Sequence, residues 1–295
     1  MEQLDKLGRA TWRHIPYQAV TSTTERENQW LRFLNTHGPV NARFLHRLTA
    51  AERKCEQTTG RQLRKLRAGN LIRYDEAQRR HAIAPWNNYY VYQITKAGKS
   101  WLKDIGQFEE TRVPTGHWLH GYMTSCVTAS IDIMARRKGH HYVPGHKILE
   151  LRDAPLAIPV DGQRVIPDQL FAIDYGGTYR AFALEVDRGT EQKSVGGRRK
   201  SYASSIDDYL KIIERKLHSA HYGLKASFGV LFVFARQSDQ RAFLAILESR
   251  RETCPFILTQ TVSNFDGTYA PPEVFEHLYS QPWDRVGMQP LHIDR

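Results

Sequence analysis

Two extended runs joined by a glycine pair constrain the fold of this chain more than any other feature of its sequence. The runs cover residues 165–174 and 178–187, and Tyr175-Gly176-Gly177-Thr178 connects them. A Gly-Gly pair between two β-prone runs is typical of a tight hairpin, because glycine readily adopts the positive φ angles of such turns. With the two glycines in the turn, continuing the register places Asp168 directly opposite Glu185.

The predicted hairpin brings three carboxylates to one patch of a sheet. Asp187 lies two residues beyond Glu185 and therefore projects from the same face. Like charges that face each other across strands repel, and a divalent cation removes this penalty by supplying the opposite charge. Because oxygen ligands suit Mg²⁺ or Mn²⁺, we expect Asp168, Glu185 and Asp187 to be metal ligands and candidate catalytic residues.

The elements around the hairpin indicate an α/β (α+β) domain with a mixed sheet over residues 113–295, starting at the turn-rich Val113-Pro114-Thr115-Gly116. Helical and extended patterns alternate along this part of the chain. The predicted helices cover 117–137, 205–218 and 238–250, and the further strands cover 147–152, 228–235 and 256–262.

The first third of the chain is predicted to be a separate domain, residues 25–112, preceded by an N-terminal arm, residues 1–24. A helix over 25–38 is followed by a short helix that Asn41 caps, and Thr58 or Thr59 caps a third helix that ends at Gly69. A strand from residue 71, a polar excursion, a returning strand over 89–95 and a closing helix complete this pattern.

Positive charge is concentrated in this first part. Residues 1–113 carry 20 Lys and Arg against 11 Asp and Glu, a net charge of +9, whereas residues 114–295 carry 22 against 20. Such a distribution is expected of a domain that meets phosphates, although a solubilising basic surface is the alternative. The candidate DNA-binding residues are Arg61, Arg64, Lys65 and Arg67 on the third helix, Arg79 and Arg80 between the strands, and Arg198, Arg199 and Lys200 in a later glycine-bearing loop.

Residues 25–106 resemble the winged helix-turn-helix family. The strings 66–73, Leu-Arg-Ala-Gly-Asn-Leu-Ile-Arg, and 92–98, Tyr-Gln-Ile-Thr-Lys-Ala-Gly, are most similar to it. The resemblance implies that the third helix enters the major groove of double-stranded DNA while the tip between the strands touches the backbone or minor groove. A winged helix that only docks other proteins remains an alternative.

Ile166-Pro167-Asp168, followed after 16 residues by Glu185-Val186-Asp187, resembles the PD-(D/E)xK nuclease superfamily. The resemblance implies a metal that activates water for phosphodiester cleavage. Asp187 stands where that superfamily has a lysine. The missing ammonium could come from Lys200, Lys211 or Lys216, of which we prefer Lys211. The alternative is a nuclease fold without activity, in which the carboxylates pair with arginines or a helix lysine.

The string 184–191, Leu-Glu-Val-Asp-Arg-Gly-Thr-Glu, resembles the replication-relaxation family of plasmid and other bacterial mobile-element proteins, and the likeness covers about residues 25–260. It implies a DNA-associated role in replication or transfer. Two hypotheses follow: a metal-dependent nuclease, or a non-catalytic accessory factor or transcriptional regulator. A third interpretation is a plain repressor whose second domain dimerises, so a homodimer is a further expectation.

The remaining signals bear on location and on other metal sites. The three cysteines, Cys55, Cys126 and Cys254, are widely spaced, which predicts reduced thiols in a cytoplasm. The apolar runs are too short for a membrane helix, so no membrane partner is expected. Two histidine pairs, His117 with His120 and His218 with His221, have a spacing that permits metal binding, but surface or core roles are the more common outcome.

Overall fold

The computed structural model describes residues 16–50, 55–75, 90–111, 117–189, 201–265 and 271–295. The chain divides into two compact units, Met1–Val113 and Pro114–Arg295. Within the described ranges, no helix combines the length and apolar character needed to cross a bilayer.

The first unit combines helices with a small antiparallel sheet. Its helices are α1 (Glu25–His37), α2 (Ala42–Leu48), α3 (Glu56–Ala68) and α4 (Lys96–Asp104). Its strands are β1 (Val40–Asn41), β2 (Ile72–Tyr74) and β3 (Val91–Ile94), in the order β1-β3-β2. The buried side chains of Trp30, Phe44, Leu63 and Leu66 form part of its core. The helices therefore pack through one apolar stripe each, as their sequence spacing predicts.

The starts of α1, α2 and α4 follow local capping rules, whereas the start of α3 departs from them. Thr24 and Glu27 form a capping box on α1, and Asn41 caps α2 as predicted. The prediction that Thr58 or Thr59 caps α3 was wrong, because the helix begins at Glu56. The Thr59 hydroxyl is buried and accepts a hydrogen bond of 2.8 Å from Arg26 Nη2, so it joins two helices instead of capping one.

The second unit is built on a five-stranded mixed sheet. Its strands are β4 (His141–Pro144), β7 (Gln169–Asp174), β8 (Tyr179–Asp187), β9 (Ser227–Phe234) and β10 (Ile257–Thr261), in the order β10-β9-β8-β7-β4. Strands β8, β9 and β10 run parallel, whereas β4, β7 and β8 form antiparallel pairs. A separate hairpin joins β5 (Ile158–Val160) to β6 (Gln163–Val165). The mixed sheet confirms the predicted α/β class.

Helices pack against this sheet through small and aromatic side chains. They are α5 (Trp118–Arg137), α6 (Gly145–Leu149), α7 (Tyr202–Glu214), α8 (Leu217–Tyr222), α9 (Gln237–Arg250) and α10 (His277–Ser280). Ala181 and Ala183 on β8 share a buried cluster with Ile206 and Tyr209 of α7 and Phe243 of α9. Side chains of α7 and α9 therefore pack over this part of β8.

One strand prediction was wrong. Residues 147–152 do not extend as a strand, since β4 ends at Pro144 and α6 follows at once. Proline suits a strand end because it cannot donate a further ladder hydrogen bond. Gly145 lies close to β7. A Cβ atom added to Gly145 would be 2.4 Å from the Leu170 carbonyl oxygen.

The predicted hairpin register is confirmed between Gln169 and Leu184, and the ladder ends before the predicted pair of Asp168 and Glu185. The pairs of β7 and β8 run from Asp174↔Tyr179 to Gln169↔Leu184. Gly176 and Gly177 both have positive φ angles, 88° and 111°, and their N–H groups donate to Asp174 Oδ1. The two glycines therefore set the register of the strands that position the acidic residues.

Candidate functional site

Asp168 lies immediately before β7 and is bonded to both chain neighbours of Glu185. Its backbone N–H donates to the Leu184 carbonyl oxygen at 2.9 Å. Its Oδ2 atom accepts a hydrogen bond of 2.8 Å from the Val186 N–H. The side chain thus takes the place of a backbone acceptor where the ladder ends. This bonding sets Asp168 beside Glu185 at one end of the hairpin.

Glu185 is buried and meets a tyrosine of α7. The Tyr209 hydroxyl donates to Glu185 Oε1 at 2.5 Å. Burial raises the pKa of Tyr209 well above its usual value, and the neighbouring Glu185 charge raises it further. Tyr209 therefore remains a hydrogen-bond donor to the carboxylate at any ordinary pH.

Asp187 is also buried, and both of its carboxylate oxygens are engaged. The Tyr202 hydroxyl donates to Oδ2, and the Gly189 N–H donates to Oδ1 at 2.7 Å. Tyr202 and Tyr209 are about two helical turns apart, so one face of α7 serves both carboxylates. Neither tyrosine was expected from the sequence to have a role at this site. Their seven-residue spacing opposite two acidic residues on one strand face was the available signal.

Two histidines and an arginine also lie at this acidic end. His120 of α5 contacts Asp168, with its Nε2 atom 2.8 Å from Oδ1, and this hydrogen bond raises the pKa of His120. Arg188 Nη1 lies 3.1 Å from His117 Nδ1. Within the described part of the chain the Arg188 Nε atom is buried without a partner, and burial lowers the pKa of this guanidinium.

Lys211 does not reach the carboxylates. Its ammonium forms an ion pair of 2.9 Å with Asp161, in the turn between β5 and β6. The physical reason is the helical period, because a residue two positions beyond Tyr209 points about 200° away around the axis of α7. Lys216 is exposed at the start of α8. The loop residues Arg198, Arg199 and Lys200 lie outside the described residues.

The acidic end fits a divalent cation only in part. Asp168 and Glu185 are the neighbouring carboxylates that could hold Mg²⁺ or Mn²⁺, an arrangement compatible with an ion that keeps several waters. Both oxygens of Asp187 accept hydrogen bonds, from Tyr202 and Gly189, and both oxygens of Asp168 are engaged as well, by His120 and the Val186 N–H. In the ranges that the structure covers, no group of three His, Cys, Asp or Glu side chains is arranged to hold a metal ion. The three-carboxylate metal site therefore stays a prediction.

The four basic residues predicted on α3 have different surroundings. Lys65 donates to the buried Glu27 carboxylate at 2.9 Å, and the Arg67 guanidinium lies 4.0 Å from the centre of the Tyr74 ring. Arg61 and Arg64 are exposed, and no hydrogen bond or ion pair joins them to another described residue. Arg79 and Arg80 lie outside the described residues. Arg61 and Arg64 are therefore the cations of this set that remain available to a ligand.

The mixed sheet and its helices define the second unit as an α/β domain, and the comparisons with known proteins identify the family. The family model described as Replication-relaxation matches residues 31–227, which is more than half of the chain. The protein belongs to the replication-relaxation family. No curated protein and no solved structure gives a significant match.

Proposed function

We propose that this protein binds double-stranded DNA through α3 and serves as an accessory factor in the replication of plasmids or other mobile elements. One observation carries the proposal: Arg61 and Arg64 stand exposed on one face of α3, within a region of net charge +9. Arginine suits phosphate because its planar guanidinium donates two hydrogen bonds side by side. Membership in the replication-relaxation family supports the link to replication.

The arrangement of the first unit supports a winged-helix interpretation. Helices α1 to α3 precede the antiparallel strands β2 and β3, and α4 follows them. In a winged helix the third helix enters the major groove. Arg61 and Arg64 then meet backbone phosphates or base edges from the exposed side of α3.

A paired substitution tests the DNA contact. Fluorescence anisotropy with a labelled duplex at several salt concentrations measures affinity for the full chain and for Arg61→Ala with Arg64→Ala. We expect weaker binding and a salt slope reduced by about two, one for each lost phosphate contact. Lys96→Ala with Lys99→Ala on α4 removes the same charge as a control. An unchanged slope in the arginine variant, or an equal loss in the control, contradicts the proposal.

A metal-dependent nuclease is the second candidate, and the bonding of Asp168 to both neighbours of Glu185 favours it. The order of helix, strand, hairpin, helix and strand is also the one that the PD-(D/E)xK resemblance implies. When bound, a Mg²⁺ or Mn²⁺ ion would activate water for attack on a phosphodiester. Asp168 and Glu185 would hold the ion, while His120 and Tyr209 orient these two carboxylates. The missing motif lysine and the distant Lys211 are the reasons for ranking this function second.

Cleavage assays separate the two functions. Supercoiled and linear DNA are incubated with the full chain and Mg²⁺ or Mn²⁺, and then with a chelator. Metal-dependent cleavage that disappears in Asp168→Asn and Glu185→Gln establishes the nuclease. Lys211→Ala should leave such cleavage intact, because its ammonium is bound to Asp161. Absence of cleavage on every substrate supports the accessory role.

A further inference from the structure

The segment that precedes α1 is fixed along one side of α3. The Gln18 N–H donates to the Ala68 carbonyl oxygen at 3.0 Å, and Lys65 Nζ donates to the Ser22 carbonyl oxygen at 2.9 Å. Val20 packs closely on Gly69. A Cβ atom added to Gly69 would lie 2.2 Å from the Val20 Cγ2 atom. These contacts make residues 16–22 part of the same surface as the α3 arginines.

A cleft of about 520 Å³ lies between this segment and α3. Residues 16–18 form one wall, and a single stripe of α3 forms the other: Arg61, Arg64, Lys65 and Ala68. The stripe follows the spacing of one helix face. Tyr17 is 74% exposed beside it. We call this feature the Tyr17 cleft.

The chemistry of the Tyr17 cleft matches a nucleotide. Lys65 is already paired with Glu27, so the available charge comes from Arg61 and Arg64, which can hold a phosphate. An exposed tyrosine ring offers a flat surface for stacking, and every nucleobase has a flat face. The carboxylates of an acidic peptide could pair with the two guanidiniums, but such a peptide supplies no nucleobase to stack on the Tyr17 ring.

We propose that the Tyr17 cleft binds one nucleotide of an unpaired DNA strand, with its phosphate at Arg61 and Arg64 and its base against Tyr17. This inference rests on the proposed DNA binding and adds a class of ligand to it. In a duplex the base faces are covered by neighbouring bases, and only the edges are accessible. DNA with a single-stranded extension should therefore bind more tightly than blunt duplex.

The test compares a blunt duplex with the same duplex carrying a short oligothymidylate extension, by fluorescence anisotropy on the full chain. The extension should raise affinity about fivefold or more, as base stacking on aromatic rings does elsewhere. Tyr17→Phe should keep this preference, whereas Tyr17→Ala should abolish it. Tyr179→Ala, at another exposed tyrosine, should behave as the unsubstituted chain.

Photo-crosslinking gives a second readout that is independent of affinity. With 5-iododeoxyuridine in the extension, irradiation and mass spectrometry should locate the crosslink at Tyr17. A crosslink elsewhere, or an undiminished preference in Tyr17→Ala, overturns the inference. If Tyr17→Ala has no effect while Arg61→Ala with Arg64→Ala weakens blunt-duplex binding, only this inference fails. If the arginine variant binds blunt duplex normally, the proposed function fails as well.

Discussion

At the residue scale, the buried Glu185 depends on the hydroxyl of Tyr209. We predict that Tyr209→Phe lowers the free energy of unfolding by about 1–3 kcal/mol, because it withdraws a donor from a buried carboxylate. Urea denaturation followed by circular dichroism measures this loss. Tyr179→Phe is the matched control at an exposed position. Equal stability of the two variants would show that Glu185 does not need this bond.

His218 gives a residue-scale prediction about pH. Its ring stacks on Phe228 with centroids 4.5 Å apart, and burial lowers its pKa below the usual value near 6.5. The unfolded chain therefore takes up this proton first, and the resulting loss of stability begins below about pH 6.5. The loss of stability is complete once the pH falls below the pKa of His218 in the folded chain. We predict that His218→Gln removes this part of the acid destabilisation.

Urea unfolding at several pH values checks the His218 prediction. As the pH falls from about 8 to about 5, the free energy of unfolding of His218→Gln should rise relative to that of the unsubstituted chain. A difference that stays constant with pH contradicts it.

His218 and His221, whose spacing permits metal binding, have separate partners in the structure. His218 stacks on Phe228, and His221 Nε2 contacts the Pro155 carbonyl oxygen at 2.9 Å. These contacts agree with surface or core roles for the two histidines.

At the element scale, α3 carries a lysine with a structural role beside arginines that face solvent. Lys65 neutralises Glu27, whose side chain is 1% exposed and completes the capping box of α1. Because Lys65 is itself partly exposed, we predict a modest cost of about 1–2 kcal/mol for Lys65→Met, below that of a fully buried pair. Arg61→Ala should change the free energy of unfolding by less than about 0.5 kcal/mol.

Thermal and urea denaturation of the two variants measure this contrast. Lys65→Met keeps most of the aliphatic stem, so its effect reports on the charge. If Lys65→Met and Arg61→Ala are equally stable, the Lys65–Glu27 pair contributes nothing and Lys65 returns to the set of candidate phosphate ligands. DNA-binding losses in Lys65 variants should therefore be interpreted only after their stability is known.

The elements also show where sequence patterns suffice. The glycine pair and the alternation on either side determined the hairpin register, because turn geometry and register are coupled over a few residues. The start of α3 was misplaced because Thr59 bonds to Arg26, a residue distant in sequence. Local propensity therefore predicts an element well until a side chain finds a better partner elsewhere in the fold.

At the scale of the whole molecule, the α/β class followed from the order of helical and extended patterns, and the sheet confirms it. The hydrogen-bond partners of the carboxylates at the acidic end could not be predicted from the sequence. Sequence spacing placed Asp168 near Glu185, but the partners of the carboxylates come from a separate helix, α7, and that helix turns Lys211 towards Asp161. Such long-range pairings depend on how α7 packs on β8, which periodicity alone leaves open.

Binding of DNA near the acidic end of the hairpin would be sensitive to the charge of Asp168 and Glu185. Two carboxylates close to DNA phosphates repel them, so Asp168→Asn with Glu185→Gln should tighten DNA binding if a strand passes this site. If DNA contacts only α3 and the segment before α1, the variant should bind as the unsubstituted chain does.

We expect unchanged affinity, because the exposed Arg61 and Arg64 carry the proposed contact. The measurement is anisotropy with duplex DNA in the presence of chelator, so that metal binding does not contribute. Affinity that rises severalfold at low salt, and less at high salt, would place DNA at Asp168 and Glu185. That result would reverse the order of the two proposed functions, because a nuclease needs DNA at its carboxylates and an accessory factor does not.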